Sequence, residues 1–224
     1  MSRLRAGRRH APPLRPVRRA AARPSRAYHH GDLRSTLLEQ VRHIVREQGV
    51  GFVSIREVAR RAEVSHAAPA HHFGSKSGLL TAFAVQGYDQ LAARVRERIA
   101  AAAAVSPPDV LAVMGQAYVG FAIDNPEHFG IMYPGDGLQH RDADYRRATD
   151  GCYGPLMDVI RRAAAEGYLV DDPVVVAAAA WSLVHGLAAL WLSGRIQERT
   201  GATDAARLAA GVTRLFVGSV LRRP

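Results

Sequence analysis

The sequence has one lysine, Lys76, against 29 arginines, and one cysteine, Cys152, in 224 residues. A single cysteine excludes an intramolecular disulfide, so the fold must be held by its core, as expected of a chain kept in a reducing, cytoplasmic compartment. The scarcity of lysine points to GC-rich coding more than to a mechanism. Acids are missing from residues 1–27, which hold Arg3, Arg5, Arg8, Arg9, Arg15, Arg18, Arg19, Arg23 and Arg26. Those arginines carry nine of the ten net positive charges, so the pI of about 10.7 belongs to a tail and the rest is nearly neutral. With Pro12, Pro13, Pro16 and Pro24, the tail reads as a disordered segment with affinity for polyanions. No apolar core or small-residue cleavage site follows it, as a secretory signal would require. Also missing are a nucleophile elbow, a phosphate-cradling glycine loop and paired metal-ligand motifs; Gly135-Asp136-Gly137 lacks the strand and helix of a nucleotide site. No enzyme activity, cofactor or metal is therefore expected.

What is present is helix after helix, an all-α chain of about nine. Leu33, Leu37, Val41, Ile44 and Val45 recur at helical spacing, and Gly49 ends that run. Ser106-Pro107, Asn125-Pro126 and Asp172-Pro173 each pair a polar cap with a proline at the first helical position. Gly167 closes a helix over 143–166, and Gly201 separates the last two. Pro134-Gly135-Asp136-Gly137 is a turn-rich loop.

The densest information lies in residues 53–73. Ser54-Ile55-Arg56-Glu57 has the form of a capping box, in which the glutamate reaches back to the cap. Ile55, Val58, Ala59 and Ala62 make one helical face. A tight break at Ala62-Glu63-Val64 and a second short helix over 65–72, capped by Ser65, complete a helix-turn-helix. Val53, Ile55, Val58, Val64 and Phe73 would form its core. The second helix would enter a major groove, its free N–H groups facing phosphate and its small alanines letting the backbone approach base edges.

The runs Tyr28-His29-His30-Gly31-Asp32-Leu33-Arg34, Ser54 through Ser65, His72-Phe73-Gly74-Ser75-Lys76 and Leu79-Leu80 closely resemble the TetR family of bacterial repressors. The resemblance implies a three-helix DNA head over 28–80 on a helical ligand-binding and dimerisation body over 81–224, behind the tail at 1–27. It implies that Ser54, Arg56, Ser65, His66, Ala67, Ala70, His71, His72 and Lys76 face double-stranded DNA. Two positions depart from the common pattern: Pro69 replaces an aliphatic residue, and Ala70 stands where an aromatic often contacts phosphate. The arginine tail would add minor-groove or phosphate contacts beside the head.

In the C-terminal half, residues 174–192 carry no formal charge, which matches the length of a membrane span. The proline cap and the alanine content instead suit a helix buried on all sides in a soluble protein. Trp181-Ser182-Leu183-Val184-His185-Gly186 resembles the signature of the "WHG" branch of the family. By that resemblance this helix and the last one pair across a homodimer through Leu183, Leu187, Leu190, Trp191, Leu208, Val212, Leu215 and Phe216. Large adaptable side chains in the middle helices mark a ligand cavity: Met114, Tyr118, Phe121, Phe129, Met132, Tyr133, Met157 and Trp181, with His185 as a polar group. A small, largely apolar effector, a palindromic operator and a repressor's mechanism follow from the resemblance. A non-specific architectural DNA binder and a helical enzyme are the rival readings.

Overall fold

In a computed structural model, residues 30–133 and 137–221 are described, with side chains from Leu33 onward. The arginine tail and Pro134-Gly135-Asp136 lie outside the described residues. The described chain is all-α, with ten α-helices, one more than the periodicity suggested. They are α1 (His30–Gln48), α2 (Ile55–Arg61), α3 (Ala67–Phe73), α4 (Lys76–Ala101), α5 (Pro107–Asp124), α6 (Pro126–Met132), α7 (Ala143–Ala165), α8 (Pro173–Leu192), α9 (Arg195–Thr200) and α10 (Ala205–Val220). A 3-10 turn, Val50–Phe52, joins α1 to α2.

Local chemistry sets most of these boundaries. Pro107, Pro126 and Pro173 are the first residues of α5, α6 and α8, where no N–H is required. The Ser106 hydroxyl and the Asp172 carboxylate accept from the backbone N–H of Asp109 and Val174, at 3.3 and 2.8 Å. Asn125 differs: its side-chain amide donates back to the Phe121 carbonyl, closing α5 rather than capping α6. Ser54 accepts the Glu57 N–H at 3.1 Å, but the expected reciprocal bond is absent. The Glu57 carboxylate instead bridges Arg60 and Arg61, each with Nε–O at 2.8 Å, and their hydrogen bonds pull its pKa down to about 2. Two nearby guanidinium groups outcompete one distant amide. Ser65 does not cap α3 with its side chain; the cap is His66, which makes no side-chain cap bond, and Ser65 supplies only its carbonyl to the Ala68 N–H.

The main core cluster joins α1, α2, α4, α6 and α7. Leu37, Val41 and Ile44 of α1 meet Val58 of α2 and Leu79 and Phe83 of α4, all of them fully buried. Ile131, Met132 and Tyr145 continue the same cluster into the body. The expected boundary at residue 80 falls inside α4, a continuous helix of 26 residues, so head and body share a rigid element.

At the α3–α4 corner a Cβ on Gly78 would collide with the backbone carbonyl of Phe73. Backbone cannot be displaced as a flexible side-chain tip can, so Gly78→Ala is expected to destabilise the head by about 1–3 kcal/mol. Thermal melting should show this as a loss of roughly 2–4 °C for each kcal/mol.

The apolar α8 satisfies the length and hydropathy of a membrane span, yet it packs on α5, α7 and α10 through Val176, Ala177, Ala180, Val184, Leu187 and Ala188. The expectation that it is buried on all sides is corrected: Val174 is 63% exposed and Leu190 46%. One apolar face serves this chain's core, and the opposite one is open.

Candidate DNA-binding surface and ligand cavity

In the head, Arg56, Ser65, His66, Ala67, Ala70, His71 and Lys76 are exposed, while Ser54 and His72 are half-buried. These residues come from the start of α2, from α3 and from the start of α4, and α3 packs on both α2 and α4. Lys76 is held over the α1–α2 connection, its ammonium 3.5 Å from the Gly51 carbonyl. Glu63 makes the tight turn with φ of 55°, a left-handed conformation unusual for a residue with a side chain. Pro69 is the third residue of α3 and buried. Its missing N–H falls in the first turn, where no intrahelical acceptor exists, so it supplies core contact without breaking the helix. Phe73 anchors the far end of α3, with the Arg34 guanidinium 5.5 Å from its ring centroid.

In the body, α4, α5, α7, α8 and α10 enclose a cavity of about 470 Å³. Met114, Tyr118, Tyr133 and Trp181 line it as expected. The remaining expected ligand residues do not. Phe121 and Met132 are buried in the main core, Phe129 packs with Ala122 and Ala188, and Met157 packs on the cluster around Ile160. His185 sits behind the wall: its Nδ1 is 3.0 Å from the Tyr118 hydroxyl and its ring lies 5.1 Å from Phe129 at 30°. Burial lowers the His185 pKa, which favours the neutral ring beside that hydroxyl.

Residues missed by the sequence reading complete the wall: Tyr88, Leu91 and Val95 of α4, Cys152 and Leu156 of α7, and Leu183 and Phe216, which the family resemblance assigned to a dimer interface. One signal was available. Gly151-Cys152-Tyr153-Gly154-Pro155 is a poor helix-forming run inside α7, a mark of a position held for something other than helix stability.

The other expected interface residues divide similarly. Leu187 is buried, and Leu208 and Val212 pack beside Val119 and Val184 within the chain. Trp191 is half-buried. Leu190 and Leu215 face outward, 46% and 77% exposed. Around them the outer faces of α8 and α10 carry small residues, with open space beside Gly186, Gly211 and Gly218.

Helix α6 ties the cavity region to the head. Glu127, 5% exposed, receives the Arg46 guanidinium of α1. Burial pushes the Glu127 carboxyl up, but the Arg46 hydrogen bond and charge outweigh it, and the net shift is downward. His128 is stacked on Phe83 of α4, centroids 4.0 Å apart and planes within 4°, with Nε2 3.2 Å from Gln86 Oε1. Burial pushes the His128 pKa down to about 4. The unfolded chain then binds this proton before the folded one does. Stability is therefore expected to fall as pH drops from about 6.5 toward 4, and this part of the loss should vanish in His128→Phe. Urea unfolding across that range measures both curves.

A helix-turn-helix built on the same long helix that walls an apolar cavity is the architecture of a transcription regulator. The chain belongs to the TetR family. The family model "Bacterial regulatory proteins, tetR family" matches residues 37–83, and "Tetracyclin repressor-like, C-terminal domain" matches residues 111–215. A solved structure of a protein of unknown function from Rhodococcus sp. RHA1 is 27% identical, with a TM-score of 0.75 over 88% of this chain and 100% of that one. A tetR family regulator from Shewanella sp. PV-4 is 18% identical, with a TM-score of 0.66 over 85% and 98% of the two chains. The TetR family regulator PfmR from Thermus thermophilus is 21% identical, with a TM-score of 0.64 over 84% and 99%. No curated protein matches the chain. The protein is a DNA-binding transcription regulator.

Proposed function

We propose that the protein is a cytoplasmic, homodimeric repressor that binds a palindromic operator and is released from it by a small, largely apolar ligand. The observation that carries this reading is the double duty of α4. Its first residue, Lys76, is exposed at the corner where α4 follows α3, and Tyr88, Leu91 and Val95 further along it line the cavity. Two heads of a two-fold dimer must sit about 34–36 Å apart to reach successive major grooves. A ligand that binds better to a body holding the heads at another spacing shifts the population away from the DNA-competent form. The open apolar faces of α8 and α10, with Leu190 and Leu215 exposed, support the pairing of two copies there. Ser54, Arg56, Ser65, His66, Ala67, Ala70, His71, His72 and Lys76 make the DNA surface, with the arginine tail adding phosphate contacts.

The test is competition binding of the full chain to its own upstream DNA against excess unrelated DNA at physiological salt. Retention of one palindromic stretch, with a preference of about 10³-fold or more, is the expected result. Binding that depends on salt alone and ignores sequence would identify a non-specific DNA binder instead.

A further inference from the structure

The outward face of α3 is built from short side chains. Ser65, His66, Ala67, Ala70 and His71 are exposed, Ala68, His72 and Phe73 are half-buried, and Pro69 is buried. Residues 65–75 hold no arginine, lysine, asparagine, glutamine, aspartate or glutamate. Those side chains make the usual pairings that identify a base: Arg or Lys on guanine, Asn or Gln on adenine, Asp or Glu on cytosine. None of these pairings is open to α3. Its exposed residues offer instead the Ser65 hydroxyl, the imidazoles of His66 and His71, and the methyl groups of Ala67 and Ala70.

The cations around α3 stand on other elements. Arg60 and Arg61 are paired with Glu57, and Arg61 also with Glu47. Arg34 of α1 lies over the Phe73 ring. Arg56 and Lys76 are exposed, on the two helices α2 and α4 that α3 packs against. Contacts from such residues to phosphate fix the register of a protein on DNA but carry no sequence information. The short face lies within residues 37–83, which the TetR family model matches, and so within the DNA-binding unit of a transcription regulator.

Side chains that end at Cβ let a helix backbone come close to the base edges. The apolar group that an A·T pair projects into the major groove is the thymine 5-methyl, and alanine is a side chain that meets it. Ala67 and Ala70 are three residues apart, a spacing that sets helical Cβ atoms about 5–6 Å from each other. Successive bases along a strand rise about 3.4 Å, so two such methyls span one or two base steps.

We infer that Ala67 and Ala70 set the sequence preference by packing on thymine 5-methyl groups, at two positions one or two base steps apart in each operator half-site. This rests on the reading of α3 as the recognition helix of an operator-binding repressor. It differs from readout of guanine by a neighbouring element, Arg56 of α2 foremost.

Random-site selection with the full chain supplies the operator, and base analogues then test it. Deoxyuridine in place of thymine removes the 5-methyl and keeps the pairing edge. At two positions in each half-site this exchange is expected to weaken binding about fourfold per methyl, the effect of burying one methyl-sized group. 5-Methylcytosine at those positions should bind more tightly than cytosine by a similar factor. Ala67→Gly and Ala70→Gly should each erase the preference for thymine over deoxyuridine at one position and leave it at the other. Both residues are exposed, and thermal melting checks that the variants are folded. A selected operator indifferent to deoxyuridine, or a preference unchanged in both glycine variants, would overturn the inference and leave the operator reading intact. A consensus of guanines alone, lost in Arg56→Met, would also overturn it and move recognition to α2. Selection of no consensus at all would overturn both.

Discussion

Phe83→Ala is expected to remove about 3–5 kcal/mol of folding stability, against the roughly 5–15 kcal/mol that a folded domain possesses. Phe83 is fully buried in the middle of α4 and belongs to the cluster that joins α1 to α6 and α7. Its ring lies parallel to His128 at 4.0 Å, so truncation leaves a cavity beside a polar ring whose Nδ1 already lacks a partner. The neighbours cannot close over the gap easily, because α4 is packed against α1, α5, α6 and α7 at once. Since one cluster spans head and body, both should be lost in a single transition. Urea unfolding at fixed protomer concentration, followed by circular dichroism and tryptophan fluorescence, should give coincident curves shifted to a lower midpoint with unchanged slope. Loss of the head alone, with the fluorescence of Trp181 and Trp191 in the body unchanged, would show that the shared core is not cooperative.

Ala67→Asp should have the opposite profile, a stable protein that has lost its operator. Ala67 is the first residue of α3 and exposed, so an aspartate there meets the positive end of the helix dipole and adds about 0.3–1 kcal/mol of stability. In the complex the same carboxylate would face phosphates or base edges at close range. A loss of about 1–3 kcal/mol per half-site, taken twice in a two-fold complex, weakens operator binding by roughly 30-fold at the least. Binding assays and thermal melting on the same preparation read the two effects. Undiminished operator affinity would move the recognition surface away from the N-terminal end of α3, onto His71 or the arginine tail.

Much of the architecture was legible one residue at a time. The three cap-proline pairs marked the starts of α5, α6 and α8, and Gly49 and Gly167 marked the ends of α1 and α7, both with the positive φ that glycine tolerates. Caps are readable because their chemistry is completed within three or four residues. The reciprocal half of the capping box at Ser54 was not, because Glu57 has a choice of partners and Arg61 is oriented by a second contact, to Glu47 of α1. The same reason separates the large apolar residues. Phe121, Met132 and Leu187 carry the pattern expected of ligand or interface residues, yet the core takes them first.

The helical character of the chain, the ends of most helices and the short segment that carries the helix-turn-helix all depend on neighbours within about one helical turn. Each could therefore be read before any packing was known. Which apolar face of α8 serves this chain and which is open, and which side chains wall a cavity rather than fill a core, had to wait for the packed helices. Concavity is a property of several helices held at fixed distances. Tyr88, Cys152 and Phe216, far apart in the chain, acquire a common role only when α4, α7 and α10 pack around the same space.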